Sequence, residues 1–254
     1  MLIALDIGNT NITIGAYDGD VLLFTARLAS NESLTSDQYA YDIKNILSLY
    51  GKDLSDIEDC IISSVVPGIE SSITKAFTNI CEIVPLSIGP GVKTGLNIKI
   101  DNPAQLGADL VAGAVGAISE YTLPCIIIDM GTATTVFAVD RNGCFLGGSI
   151  AAGVRLTLKA LCENTAQLPS TQIFAPPSVI GTNTTDSMKS GLVYGTAGMI
   201  DGLVERMKDI VGSDASVIAT GGLAREIIKH CKTDIIYNEN LVLDGLKQIY
   251  EKNK

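Results

Sequence analysis

Two stretches, LIALDIGNTNITIGAYDGD at 2–20 and CIIIDMGTATTVFAVDRNG at 125–143, decide the fold. Laid over one another at an offset of 123, Asp6 falls on Asp129 and Gly8 on Gly131. Each copy reads as a buried apolar strand, an Asp, a small-residue turn, a second strand and a hairpin turn. The hairpin turns are Asp18-Gly19-Asp20 and Arg141-Asn142-Gly143. Third strands are expected at 21–28 and about 144–151. An offset close to half the chain means two homologous domains on one plan.

Outward from each hairpin, helical periodicity alternates with short apolar runs. Helices are expected at 35–50, 68–79, 103–119, 155–163, 185–211 and 222–231, and strands at 59–65, 82–88, 125–129 and 216–220. Such alternation predicts an α/β sheet covered by helices. The division falls near 115–124, giving domains 1–117 and 118–254. Apolar residues make up 46% of the 254, enough for a real core, but only 5% are aromatic. Val, Ile, Leu and Ala must therefore fill it.

The formal net charge of −10 argues against a nucleic-acid partner or an anionic membrane, since both need basic patches. The six cysteines form no CxxC pair and there is one histidine, His230, so a zinc site is not expected. Scattered thiols fit a reducing cytoplasm. The N-terminal apolar run is cut by Asp6, and the apolar stretch 110–118 is half a membrane span.

Asp6-Ile7-Gly8-Asn9-Thr10 carries the first chemistry. A carboxylate at the end of a buried strand needs a cation or donors. Gly8 lets the turn bring its N–H groups near a ligand, and Asn9, Thr10, Asn11 and Thr13 add side-chain donors. The stretch suits a polyphosphate with its Mg²⁺, although one such copy alone favours a β-hairpin with an Asx turn and no ligand. The second copy, Asp129-Met130-Gly131-Thr132, shifts the balance, because two such turns can grip one phosphate chain. That arrangement resembles the acetate and sugar kinase, Hsp70 and actin superfamily. It implies duplicated ribonuclease H-like (actin-like ATPase) domains with a central cleft. Neither GxxxxGK[ST] nor GxGxxG occurs.

Thr220-Gly221-Gly222, after the apolar run 216–218, is a place where backbone can approach a purine; in the superfamily such a segment serves adenosine. In Asp101-Asn102-Pro103, Asn102 is a natural helix cap and Pro103 a natural first helical residue. Asp109 then falls in the second turn of an otherwise apolar helix, beyond the useful field of the helix end. A general base is its natural task.

DIGNT at 6–10, KTGL at 93–96, DNP at 101–103, GAD at 107–109, DMGTATT at 129–135, GGSIAAG at 147–153, TAQLP at 165–169, IGTNTTDSMKSG at 180–191 and TGG at 220–222 occur in order. With this set the chain resembles the type III pantothenate kinases along essentially its whole length. The resemblance implies ATP-dependent phosphorylation of pantothenate, the entry step to coenzyme A, in a cytoplasmic homodimer. Asp6, Ile7, Gly8, Asn9, Thr10, Asn11, Ile12 and Thr13 would wrap the ATP phosphates, with Asp6 serving Mg²⁺ through them. Gly131 and Thr132 would touch the phosphates, and Gly221 and Gly222 the adenosine. Asp129 would hold a monovalent cation, K⁺ or NH₄⁺, and Asp109 would be the base. Ile100, Gly107, Ala108, Leu110 and Thr184 would contact pantothenate beside Asp109.

Three positions depart from the family pattern: Leu110 replaces an Arg, Ile100 a Tyr, and Ala152 a Pro. An Arg beside the base suits an anionic substrate or the developing phosphoryl charge. Arg155 and Lys93 are candidates to supply the missing charge. The departures keep two alternatives open: a kinase of this fold with another small hydroxylated substrate, and a nucleotide-binding regulator without catalysis.

Overall fold

A computed structural model describes all residues 1–254. The first half runs β1 (Leu2–Ile7), β2 (Asn11–Asp18), β3 (Val21–Ala29), α1 (Ser36–Leu49), β4 (Asp59–Ser64), α2 (Pro67–Cys81), β5 (Leu86–Ser87), β6 (Asn97–Ile98) and α3 (Ala108–Glu120). The second half runs β7 (Cys125–Met130), β8 (Ala133–Val139), β9 (Cys144–Ala152), α4 (Val154–Glu163), α5 (Thr184–Val211), β10 (Ser216–Thr220), α6 (Ala224–Ile227), β11 (Ile236–Tyr237) and α7 (Leu241–Glu251).

The chain forms two units. The first comprises Met1–Leu96, Asn102–Ser119 and Leu241–Lys254; the second comprises Asn97–Asp101 and Glu120–Asn240. Division at 117/118 placed the last helix in the second domain, but α7 packs on β1 and β4 and belongs to the first unit. A chain that returns to its first sheet at its end leaves no local mark of having done so.

Both units repeat one sheet. In the first the order is β3-β2-β1-β4-β5, with β1–β2 and β2–β3 antiparallel and β1–β4 and β4–β5 parallel. In the second, β9-β8-β7-β10-β11 has the same order and directions, with β6 added at the β9 edge. Even the irregularity between the second and third strands recurs, at Ala16/Tyr17 and Ala138/Val139. The repeat is therefore a duplicated ribonuclease H-like plan, as expected.

The first strands are buried on both faces, which is why β1 and β7 read as unbroken apolar runs. On one face Ile3, Leu5, Ile7, Cys60 and Ile62 pack with Ile43, Ile73 and Phe77 from α1 and α2. In the second unit Ile126, Ile128 and Val217 pack with Leu192, Ala197 and Ile200 from α5. Each fully buried aliphatic side chain contributes about 1.5–3 kcal/mol, so these rows hold the sheets in register.

Three expected elements change. The helix expected at 103–119 is a short 3₁₀ turn, Pro103–Gln105, followed by a separate α3 from Ala108. Asn102 caps that turn, its Oδ1 accepting from the Ala104 N–H at 3.2 Å, but the chain turns extended at Leu106 before helix resumes. The helix expected at 222–231 is α6 plus a 3₁₀ turn, Ile228–His230. Of the strand expected at 82–88, only Leu86–Ser87 is paired.

Candidate active site

β1 ends one residue past Asp6, and Gly8, Asn9 and Thr10 bridge to β2. The Gly8 N–H donates to the Asn11 carbonyl at 3.0 Å, closing the turn. Ser30, just past β3, clamps it: its N–H donates to the Thr10 carbonyl at 3.0 Å and its Oγ to the Gly8 carbonyl at 2.5 Å. Nothing in the local pattern marks Ser30, which reaches the turn only because β3 pairs back along β2. Asn9, Thr10 and Asn11 stay exposed on this braced loop, and Ile7 and Ile12 anchor it from the core. Braced backbone with exposed polar side chains is what a phosphate chain requires.

The second turn is one residue shorter, only Gly131 and Thr132 separating β7 from β8. Past the turn the repeat therefore slips by one. Asp6 pairs with Thr13, and Asp129 pairs with Thr135. Two glycines hold this turn. The Gly153 N–H donates to the Thr132 carbonyl at 3.1 Å, and a Cβ on Gly153 would strike the Gly131 and Thr132 carbonyls. Gly221, at φ +96°, sits against the Met130 backbone, where a Cβ would approach the carbonyl to 2.6 Å. Gly221 is thus fixed by both its left-handed φ and the close approach. Beside Leu223, which follows Gly221 and Gly222, opens a cavity of about 610 Å³ lined in part by Arg155, Lys159, Thr171 and Ile173.

Asp109 stands in the first turn of α3, not the second, because the helix starts at Ala108. The helix end therefore does act on it, and its Oδ1 accepts from the Leu110 N–H at 2.8 Å. Burial opposes this and wins: desolvation pushes the carboxyl up from its ordinary range, and the backbone bonds only partly draw it back. The carboxylate lies so close over Gly107 that a Cβ there would collide with Oδ1. On its other side that Cβ would be 3.9 Å from Val65 Cγ1, and the Val65 N–H donates to the Ile7 carbonyl at 3.1 Å. The end of β4 thus links Asp109 to the Asp6–Gly8 turn.

The other expected substrate residues separate by unit. Gly107, Ala108 and Leu110 flank Asp109 in the first. Ile100 belongs to the second, near Gly147, and Thr184 is the exposed first residue of α5.

Three buried hydroxyls have no hydrogen-bond partner: Ser63, Thr134 and Thr135. Each costs about 1–3 kcal/mol if it stays unpaired. Two of them lie beside the strand Asp residues on the same face, Ser63 pairing with Asp6 and Thr135 with Asp129, whereas Thr134 pairs with Met130 and leaves the opposite face, toward the core under α5. Sequence reading missed Ser63, which is one of two serines closing an apolar strand. No group of three or more His, Cys, Asp or Glu side chains is placed to hold a metal ion. A divalent ion here depends on ligand oxygens and water for most of its shell, in keeping with Mg²⁺ carried on a nucleotide. Beside Asp129, the orphaned Thr135 hydroxyl oxygen is a hard donor of the kind a monovalent cation takes.

The type III pantothenate kinase family model matches residues 2–206. A type III pantothenate kinase of Halalkalibacterium halodurans is 42% identical over 253 residues, covering 100% of both chains. One from a Geobacillus species is 43% identical over 253 residues, covering 100% of this chain and 98% of its own. Among solved structures, component A of the (R)-2-hydroxyglutaryl-CoA dehydratase of Acidaminococcus fermentans matches at TM-score 0.60 and 18% identity, covering 100% of this chain and 99% of its own. A protein of Sinorhizobium meliloti described as a 2-dehydro-3-deoxygalactonokinase matches at 0.64 and 12%, covering 99% and 96%. These two likenesses speak for the fold, which is that of actin-like ATPases and sugar kinases. With a family model over residues 2–206 and full-length identity above 40%, the chain belongs to the type III pantothenate kinase family.

Proposed function

We propose that the protein transfers the γ-phosphoryl group of ATP to the primary hydroxyl of pantothenate, with Asp109 as general base. The carboxylate takes the hydroxyl proton, the oxygen attacks the γ-phosphorus, the bond to the β-phosphate breaks, and ADP leaves with 4′-phosphopantothenate. The observation that carries the assignment is the position of Asp109, half-buried, raised in pKa and tied through Val65 to the Asp6–Gly8 turn. A base whose pKa lies nearer the working pH transfers protons more effectively.

Residues 6–13 bind the phosphates through the turn, and Gly131 and Thr132 contact phosphate oxygens. Gly221 and Gly222 take adenosine, and the cavity beside Leu223 has room for it. Asp6 would hold Mg²⁺ by way of the phosphates, and the ion would supply charge neutralisation on the transferred group. Asp129 with Thr135 would hold K⁺ or NH₄⁺. Ile100, Gly107, Ala108, Leu110 and Thr184 contact pantothenate.

The protein works as a homodimer. Ile150, Val179 and Ile180 of the second unit are exposed side chains that a second copy would cover. All six cysteines are free thiols, in keeping with a cytoplasmic enzyme. No helix is long and apolar enough to cross a membrane.

Leu110 favours one competing reading, a substrate lacking the carboxylate that an Arg would bind. ADP release is therefore to be followed with pantothenate, with pantetheine and with neither. Pantothenate-dependent release, with a product heavier by one phosphoryl group, is expected. Release with pantetheine alone would move the assignment to that substrate class. ATP binding without release in any arm would make the protein a non-catalytic nucleotide binder.

A further inference from the structure

Ser63 on β4 is fully buried, and its hydroxyl has no partner in the protein. Its neighbour Ser64 is satisfied, its Oγ accepting from the Val66 N–H at 3.1 Å. Buried polar atoms are so regularly paired that an orphan asks for a group the chain alone does not supply.

The place of Ser63 says which group. It pairs with Asp6 across the parallel β1–β4 ladder, so both side chains leave the same face of the sheet, one strand apart. That face is opposite the apolar row Ile3, Leu5, Ile7, Cys60 and Ile62 under α1 and α2. Two residues on, Val65 faces Gly107, next to Asp109. The hydroxyl thus stands beside the strand Asp, on the side where the base lies.

With no cluster of metal-ligating side chains here, the divalent ion of a bound nucleotide meets the protein through Asp6 and through its own waters. Mg²⁺ dehydrates reluctantly and keeps several waters in such sites. Those waters are strong donors, and a serine Oγ offers them acceptor lone pairs.

We propose that Ser63 is a positioning residue for the nucleotide-bound divalent cation. Its hydroxyl accepts a hydrogen bond from a water of the ion's shell, and with Asp6 it fixes where the β- and γ-phosphates sit. The proposal rests on the ATP-kinase reading above.

The test compares wild type, Ser63→Ala and Ser63→Thr. Calorimetry gives the ADP dissociation constant with Mg²⁺ and with EDTA, and the ratio of the two is read within each protein. Thermal melts and the KM values for ATP and pantothenate accompany it. In Ser63→Ala the Mg²⁺ enhancement of ADP binding is expected to fall about 10-fold or more, the size of one charge-assisted hydrogen bond. The melting temperature should hold or rise because an orphan is removed, and the KM for pantothenate should not move. Ser63→Thr keeps the hydroxyl and should recover most of the Mg²⁺ ratio, even if its added methyl lowers the melting temperature. An unchanged Mg²⁺ ratio in Ser63→Ala overturns the proposal. Loss of ADP affinity equally with and without Mg²⁺ overturns it too, since that marks a packing defect. If wild type itself binds ADP without regard to Mg²⁺, the kinase reading fails first.

Discussion

Asp109 is where opposing influences meet. The start of α3 favours its charge and burial disfavours it, and burial prevails. Because its pKa is raised on folding, the native state binds the proton more tightly than the unfolded chain. Its stabilising share is therefore full below the unfolded pKa and is lost as pH rises through the folded one. Catalysis has the opposite sign, since only the carboxylate accepts a proton. The acid limb of kcat/KM for pantothenate should then fall through a pKa above the ordinary value of about 3.9. A pH–rate profile checks this, and an acid limb at or below that value would contradict the burial argument. Leu110 is the second residue of interest. On the proposed reading, Leu110 cannot make the charge-assisted contact to the substrate carboxylate that an Arg would make, a contact worth about 1.5–3 kcal/mol. Leu110→Arg should lower the KM for pantothenate about tenfold or more and leave that for pantetheine unchanged. Equal KM values in wild type and variant would mean that another group, such as Thr184 or a cation, already satisfies the carboxylate.

Among elements, the crossing of α3 and α7 matters most, because α3 carries Asp109. Gly116 meets the Leu241 carbonyl and Gly245 the Ala112 carbonyl, each with no room for a Cβ. Backbone-to-backbone approach of this kind leaves a methyl nowhere to go. Gly245→Ala should cost about 1–3 kcal/mol, or more, and lower kcat by shifting α3. Urea denaturation and turnover measure the two effects, and a variant as stable as wild type would refute the tight crossing. This same contact explains why α7 escaped the sequence reading. LVLDGLKQIYE has helical periodicity, but Gly245 in its middle reads as a breaker until its packing partner is known. β1 and β7 were legible because an unbroken apolar run ending in Asp has few other uses. The start of α3 was not, since Asn102 and Pro103 form a sound helix entry that the chain abandons after one 3₁₀ turn. Likewise Ser30, Ser63 and Gly153 act through partners far away in sequence, and no local pattern reports them.

At the scale of the whole molecule, duplication supplies both strand-Asp turns from one plan, and the two copies differ in detail. The second turn is shorter, is pressed by Gly153 and Gly221, and has Thr135 beside Asp129. A protein of net charge −10 that binds a polyanion needs a local positive charge, and neither strand-Asp turn carries a Lys or Arg. Activity should therefore rise on adding KCl over an ionic-strength-matched choline salt, and Asp129→Asn should abolish the difference. Equal rates in both salts would remove the monovalent cation. The central claim is that Asp109 takes the proton from pantothenate as the phosphoryl group moves. Pantothenate-dependent ADP release by Asp109→Asn at saturating ATP tests it most directly, with ATP affinity and thermal stability as controls. Turnover should fall roughly 10²–10⁴-fold, with ATP affinity retained and stability at neutral pH unchanged or raised. Turnover within a few-fold of wild type would contradict the account.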